Sequence, residues 1–277
     1  MSLILNNKKH MAGILCLGVQ NGSKNMSTWL NTLKYNLSDT IKKWYLFPDL
    51  GVVCTTIFRN RKNFEMYFEY GEKEINYLKA EDKKPAAVID RVGEVRRAAD
   101  TDLFSSVVHH IVGQQISTKA QQKIWKRLTN STGKITLEAI DRMDAKELQS
   151  FGISFKKASY IKDFALKVSS GAFDINAVWQ MPDEEAVAAL SGLKGVGVWT
   201  AEMILLFCMQ RPNVFSFGDL AILRGLRMVY RHKTIDRKLF EKYRKRFSPY
   251  GSTASLYLRA VAGGALPELE DCASPKR

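Results

Sequence analysis

Cysteine is scarce in this 277-residue chain: Cys16, Cys54, Cys208 and Cys272 form no CxxC pair. That spacing gives neither a zinc nor an iron–sulfur framework, so no iron–sulfur cluster is expected. Histidine is also rare, and His109 and His110 have no Cys or His partner at ligand spacing; both are read as structural, and no metal site is expected. Cys208 sits in an apolar helical run and reads as a small core residue. No run of eighteen apolar residues occurs, so no membrane-spanning segment is expected. The opening MSLILNNKKHMAGILCLGV lacks a cleavage site after a hydrophobic stretch of signal length. Free thiols and no export signal suit a cytoplasmic protein. Pro/Gly-rich linkers and internal repeats are missing between Pro85 and Gly264, which suits one cooperative unit, with room for a cleft.

Acidic residues are outnumbered, 28 against 42 Lys and Arg, giving a formal charge of +14. A polyanionic partner fits that balance, nucleic acid ahead of an anionic membrane surface, although a solvated basic surface without a partner has the same composition. Residues 1–65 differ from the rest, with nine basic side chains against Asp39, Asp49 and Glu65. Only Leu50 to Phe58 (LGVVCTTIF) there reads as a strand. Two readings stay open: Met66 is the native start and 1–65 an added leader, or 1–65 is a small basic subdomain before a 66–277 domain.

From Pro85 onward apolar residues take helical spacing between Gly, Ser and Asp signals, which predicts an all-α array with short links. Helices are expected over 101–113, from Ser117 to Gly133, and after Asp144 as a capping box with Glu147. Two more are expected, over KKASYIKDFALKVSSG and after Pro182. The most informative stretch is LSGLKGVGVWTAEMILLFCM, Leu190 to Met209, in which one helix ends, Gly195 and Gly197 flank a valine, and an apolar helix begins. Glycines there let a second backbone approach, and the amides of the turn and the first helical turn are expected to point outward as an uncharged grip on a phosphate. A packing-only helix–helix turn is the alternative.

A second element follows in PNVFSFGDLAILRGLRMVY, where Gly218-Asp219 opens an amphipathic helix. Asp219 reads as an N-cap. A carboxylate at a helix N-terminus is also placed to steady a sugar becoming an oxocarbenium cation.

Taken together, HHIVGQQIS (His109 to Ser117), LKGVGVWTAEMIL (Leu193 to Leu205), FSFGDLAI (Phe215 to Ile222) and SPYGSTASLYLRAVAGG (Ser248 to Gly264) resemble, in order and spacing, the helix-hairpin-helix DNA glycosylases, on the branch of bacterial 3-methyladenine DNA glycosylase II. The resemblance implies two helical subdomains with a base pocket in the cleft between them. It implies excision of damaged, alkylated bases from double-stranded DNA by a cytoplasmic, nucleoid-associated enzyme; a monomer is the default. Asp219 matches the catalytic carboxylate, and Gly195 and Gly197 the hairpin glycines, with Lys194 facing phosphate beside them. A monovalent cation held by hairpin carbonyls is implied; no other cofactor is. Gln115 falls at the position of a residue that wedges into the stack. Trp199 replaces the lysine nucleophile of bifunctional members, so water is the expected nucleophile and no strand cleavage should follow. Trp199 is also expected to stack on the extruded base. Arg259 stands where many relatives carry tryptophan, and is expected to face DNA phosphate or to alter the substrate range; Tyr250 and Tyr257 are candidate aromatic substitutes, Tyr250 as a substrate contact.

Overall fold

The computed structural model describes residues 66–273; the basic segment 1–65 and its expected strand over 50–58 lie outside the described residues. Among the described residues there are thirteen α-helices and no strand, with one isolated antiparallel bridge between Tyr67 and Ala98. The chain enters through α1 (Glu72–Glu81) and α2 (Lys83–Val92), followed by α3 (Leu103–Gly113), α4 (Thr118–Thr132), α5 (Leu137–Arg142) and α6 (Ala145–Ser150). Next come α7 (Phe155–Ser169), α8 (Ile175–Gln180), α9 (Asp183–Ser191) and α10 (Val198–Phe207). The last three are α11 (Leu220–Tyr230), α12 (Arg237–Phe247) and α13 (Gly251–Ala262).

Nine of the thirteen helices open on an Asp, Ser or Thr whose side chain accepts a backbone N–H of the first turn, so most starts are written locally. The Ser117–Gly133 expectation is met in full. The helix expected from Thr101 starts two residues later, because the Asp102 carboxylate takes the Ser105 amide at 2.8 Å and makes Asp102 the cap. The KKASYIKDF helix starts at Phe155, one residue early, because Ser154 caps it.

Two apolar clusters form. The first is built from α3 through α10, with Phe104, Val107, Ile111, Leu128, Phe164 and Ile204 at its centre. The second joins the N-terminal pair, through Leu78, Val88 and Ile89, to the C-terminal helices, through Phe215, Leu226, Phe240 and Val261. From Met66 onward the chain thus begins in one helical subdomain, builds the other, and returns to the first. Within the second cluster α11 and α13 lie so close that a Cβ at Gly225 would stand 2.3 Å from the Leu258 carbonyl oxygen. Glycine is therefore required where these helices, which carry Asp219 and Arg259, cross.

Candidate active site

The turn between α9 and α10 is a tight reversal. Gly195 has φ +82°, a left-handed conformation that L side chains resist, and a Cβ there would fall 2.3 Å from Tyr160 Cδ2. Gly197 has φ −92° and open space around it, so its glycine is not demanded by the fold. The expectation that all the turn amides point outward is corrected at Val196, whose N–H donates to the Leu193 carbonyl at 3.0 Å and closes the reversal. Gly197 caps α10 without a side-chain acceptor, so the first-turn amides of that helix keep the orphan status of any helix start. Lys194 is exposed and pairs with Asp163 at 2.6 Å, which holds the Asp163 carboxyl below its usual range. An exposed pair of that kind contributes about 1 kcal/mol or less, so a phosphate can compete for the lysine.

The loop after α3 is tied to this turn. The Gln114 side-chain amide donates to the Gly195 carbonyl, and Lys157 on α7 donates to the carbonyls of Val112 at 2.8 Å and Gln114 at 2.6 Å. Gln115 follows, exposed and with φ +54°. A left-handed glutamine costs roughly 1–2 kcal/mol, a strain sustained here by the bonds on either side. Neither Gln114 nor Lys157 carried a sequence signal beyond lying in or near a motif.

Asp219 caps α11. Its Oδ1 accepts the amides of Ala221 at 2.9 Å and Ile222 at 3.4 Å, and the residue is only 3% exposed. Its Oδ2 accepts a hydrogen bond from Arg259 Nη1 on α13. The expectation that Arg259 faces DNA phosphate is thus corrected: it turns inward, because the buried carboxylate forty residues earlier offers a stronger local partner than solvent. Trp199, 45% exposed, lies in the first turn of α10 against Gly218, where any side chain would press on its Cβ at 3.3 Å. Trp199 is therefore a partly exposed aromatic packed against the residue that precedes Asp219.

Beside Asp219 opens a pocket of about 520 Å³ whose lining includes Leu220, Ala221, Arg97 and Arg259. Arg97 and Arg259 both lie over the Phe207 ring, at 5.1 and 5.2 Å. Burial, then the neighbouring Arg259, push the Arg97 guanidinium below its ordinary value. One α10 turn away, Glu202 accepts a hydrogen bond from Ser216 Oγ and burial pushes its carboxyl up. That bond fastens the irregular 214–218 segment, which ends in a turn, to α10 and so helps position Asp219.

Tyr250 is not brought to the pocket. It opens α13 and packs edge-on against Tyr77 at 5.1 Å, nine residues and about 13 Å of helix rise from Arg259. Tyr257 is core: its hydroxyl donates to the Gly93 carbonyl at 2.9 Å and burial pushes it up. Cys208 is 1% exposed and burial raises its thiol to about 12, as befits a packing residue. His109 packs edge-on against Trp125 at 4.6 Å, and burial lowers its ring to about 4. No cluster of three or more His, Cys, Asp or Glu that could hold a metal occurs among the described residues, and no described helix is long and apolar enough to cross a membrane.

The hairpin, the capped carboxylate and the helical order coincide with a known family, since residues 108–249 match the HhH-GPD superfamily of base excision DNA repair proteins. The chain belongs to the HhH-GPD superfamily. Its fold is similar to that of a DNA-3-methyladenine glycosidase from Bacillus halodurans, with a TM-score of 0.63 and 30% identity over 73% of this chain and 95% of the other. It is also similar to a Schizosaccharomyces pombe 3-methyladenine DNA glycosylase solved in complex with abasic DNA, with a TM-score of 0.62 and 26% identity over 69% of this chain and 97% of that one. In sequence, DNA-3-methyladenine glycosylase 1 of the same yeast is 29% identical over 160 residues, 56% of this chain and 70% of the relative. The all-α architecture read from the sequence is that of the superfamily.

Proposed function

We propose that this base-excision glycosylase is monofunctional, of the DNA-3-methyladenine glycosylase II type, and that it hydrolyses the N-glycosidic bond of damaged purines, alkylated ones included, with Asp219 as its catalytic carboxylate. The observation that carries the reading is the convergence of three parts: a glycine hairpin with an uncapped helix start, an exposed Trp199 on that helix, and a buried carboxylate that follows the glycine packed on Trp199. Lys and Arg and the hairpin amides hold the phosphates, giving salt-sensitive binding to duplex DNA. Gln115 fills the gap left by the extruded nucleotide, whose base stacks on Trp199. Asp219 sits at the positive end of the α11 dipole with Oδ1 capping the helix; Oδ2, held by Arg259, must be shared with the incoming nucleotide for the carboxylate to steady positive charge at C1′ and orient the attacking water.

No lysine stands at position 199, so no Schiff base forms and the products are the free base and an abasic site. A monovalent cation at the hairpin would be held by carbonyl oxygens alone. Gly195 already gives its carbonyl to Gln114 and Leu193 gives its own to the Val196 amide, so the Val196 carbonyl and the second lone pairs of the other two are the donors that fit. When bound, the ion would supply positive charge facing a phosphate. The reading is tested by incubating the protein with duplexes carrying alkylated purines, with and without borohydride. Free base and an intact abasic strand support it; a borohydride-trapped protein–DNA adduct contradicts it.

A further inference from the structure

Taking the chain as a glycosylase that uses Asp219, we infer that Arg259 sets which damaged base is released, favouring neutral bases with a carbonyl or ring-nitrogen acceptor over purines made cationic by methylation at N3 or N7. Trp199, Met203 and Phe207 recur at four-residue intervals on α10 and form one stripe. Arg259 lies along the lower part of it, with Nη1 3.5 Å from Met203 Sδ and its guanidinium 5.2 Å from the Phe207 ring, and the same nitrogen reaches Asp219. A base stacked on Trp199, with its sugar at Asp219, therefore has this guanidinium as its next neighbour.

Charge in the pocket points the same way. Arg259 neutralises Asp219 and Arg96 is matched by Glu94, while Arg224 reaches at 3.6 Å an Asp271 that Arg227 already holds. Arg97 shares the Phe207 ring with Arg259 and has no carboxylate partner among the described residues. No acidic side chain lines this cavity, which adjoins the Trp199–Asp219 site through Arg259 and Leu220 and has neither Trp199 nor Asp219 in its wall. The lowering of Arg97, by burial first and then by Arg259, reports the cost of burying it beside a second guanidinium whose carboxylate, Asp219, is already taken. A cationic purine would add a third, whereas a neutral base offers acceptors to guanidiniums that carry only donors.

The leaving-group chemistry agrees. A purine cationic in the nucleotide departs as a neutral molecule and gains nothing from a nearby guanidinium. A neutral base departs with the glycosidic electron pair on its ring nitrogen, spread onto its carbonyl, and Arg259 donates to that developing negative charge. Water oxygen bonds to C1′, its proton passes to Asp219, and the departed base takes a proton from solvent. An aromatic residue at 259 would reverse the preference, because a π face attracts a cation.

The test is single-turnover release of hypoxanthine, which is neutral and carries a carbonyl, and of 7-methylguanine, which is cationic in DNA, from otherwise identical duplexes. Arg259→Trp should lower the hypoxanthine to 7-methylguanine rate ratio by about tenfold or more. Arg97→Gln leaves the Asp219 pair in place, so it does not depend on how the first variant folds, and should lower the ratio by a smaller factor. A ratio unchanged in both variants, with both bases still released, overturns the role of Arg259 and leaves the glycosylase reading standing. Release of neither base from any duplex by the wild-type protein, with DNA still bound, overturns the glycosylase reading and this preference with it.

Discussion

The two hairpin glycines are separable by substitution, because the structure gives them different reasons to be glycine. Alanine at 195 must adopt φ +82°, which costs roughly 1–2 kcal/mol. Its Cβ would also stand 2.3 Å from Tyr160 Cδ2 and 2.8 Å from Cε2, so the ring must shift, at a further cost of about 1–3 kcal/mol. For a unit of some 200 residues, that loss lowers the melting temperature by roughly 5–15 °C. Alanine at 197 meets nothing within 4 Å at φ −92°, so stability should hold or rise by about 0.4–1 kcal/mol. Its methyl, however, would stand where a phosphate approaches the amides of α10. Duplex affinity should fall, with an unchanged slope of log affinity against log salt, because the lost contact is uncharged. Thermal melts and anisotropy titrations at several salt concentrations read both effects. Wild-type DNA affinity in Gly197→Ala would refute the hairpin grip, and wild-type melting in Gly195→Ala would refute the turn geometry.

Stability should also report the half-buried histidine. His109 is lowered to about 4 in the fold from an ordinary 6.5, so between those values the unfolded chain binds more protons. Stability should then be lost as pH falls through 6.5 toward 4, by roughly 3 kcal/mol at most, with His110 adding to the same trend. Urea midpoints at pH 7.5 and 5 check this, and His109→Gln should flatten the slope. Gly225→Ala places a Cβ against the Leu258 backbone and should cost about 3 kcal/mol in a urea titration while driving Asp219 and Arg259 apart. Gln115→Gly relieves a left-handed side chain and should melt no lower than wild type, yet it should slow excision from fully paired duplexes more than from mismatched ones.

The helix array was legible because its signals are local: Ser117, Asp144, Asp219 and the glycine stops each act within a turn of their own position. The hairpin and the carboxylate could be named for the same reason. What could not be read depends on contacts distant in sequence. Nothing near Arg259 says that it meets Asp219 rather than solvent, and the sequence offers no sign that Arg97 shares a ring with it. Tyr250 was misplaced because adjacency along the chain put it near Arg259, whereas a helix carries the two to opposite ends. The difference between Gly195 and Gly197 likewise needed Tyr160, thirty-five residues away, to become visible.

Base release by the Asp219→Asn protein tests the central claim most directly. Asparagine still caps α11 but removes the charge beside the sugar. Single-turnover release should fall by about a hundredfold or more while duplex binding stays within a few-fold of wild type. Release at close to the wild-type rate would contradict the assignment of Asp219 as the group that drives hydrolysis.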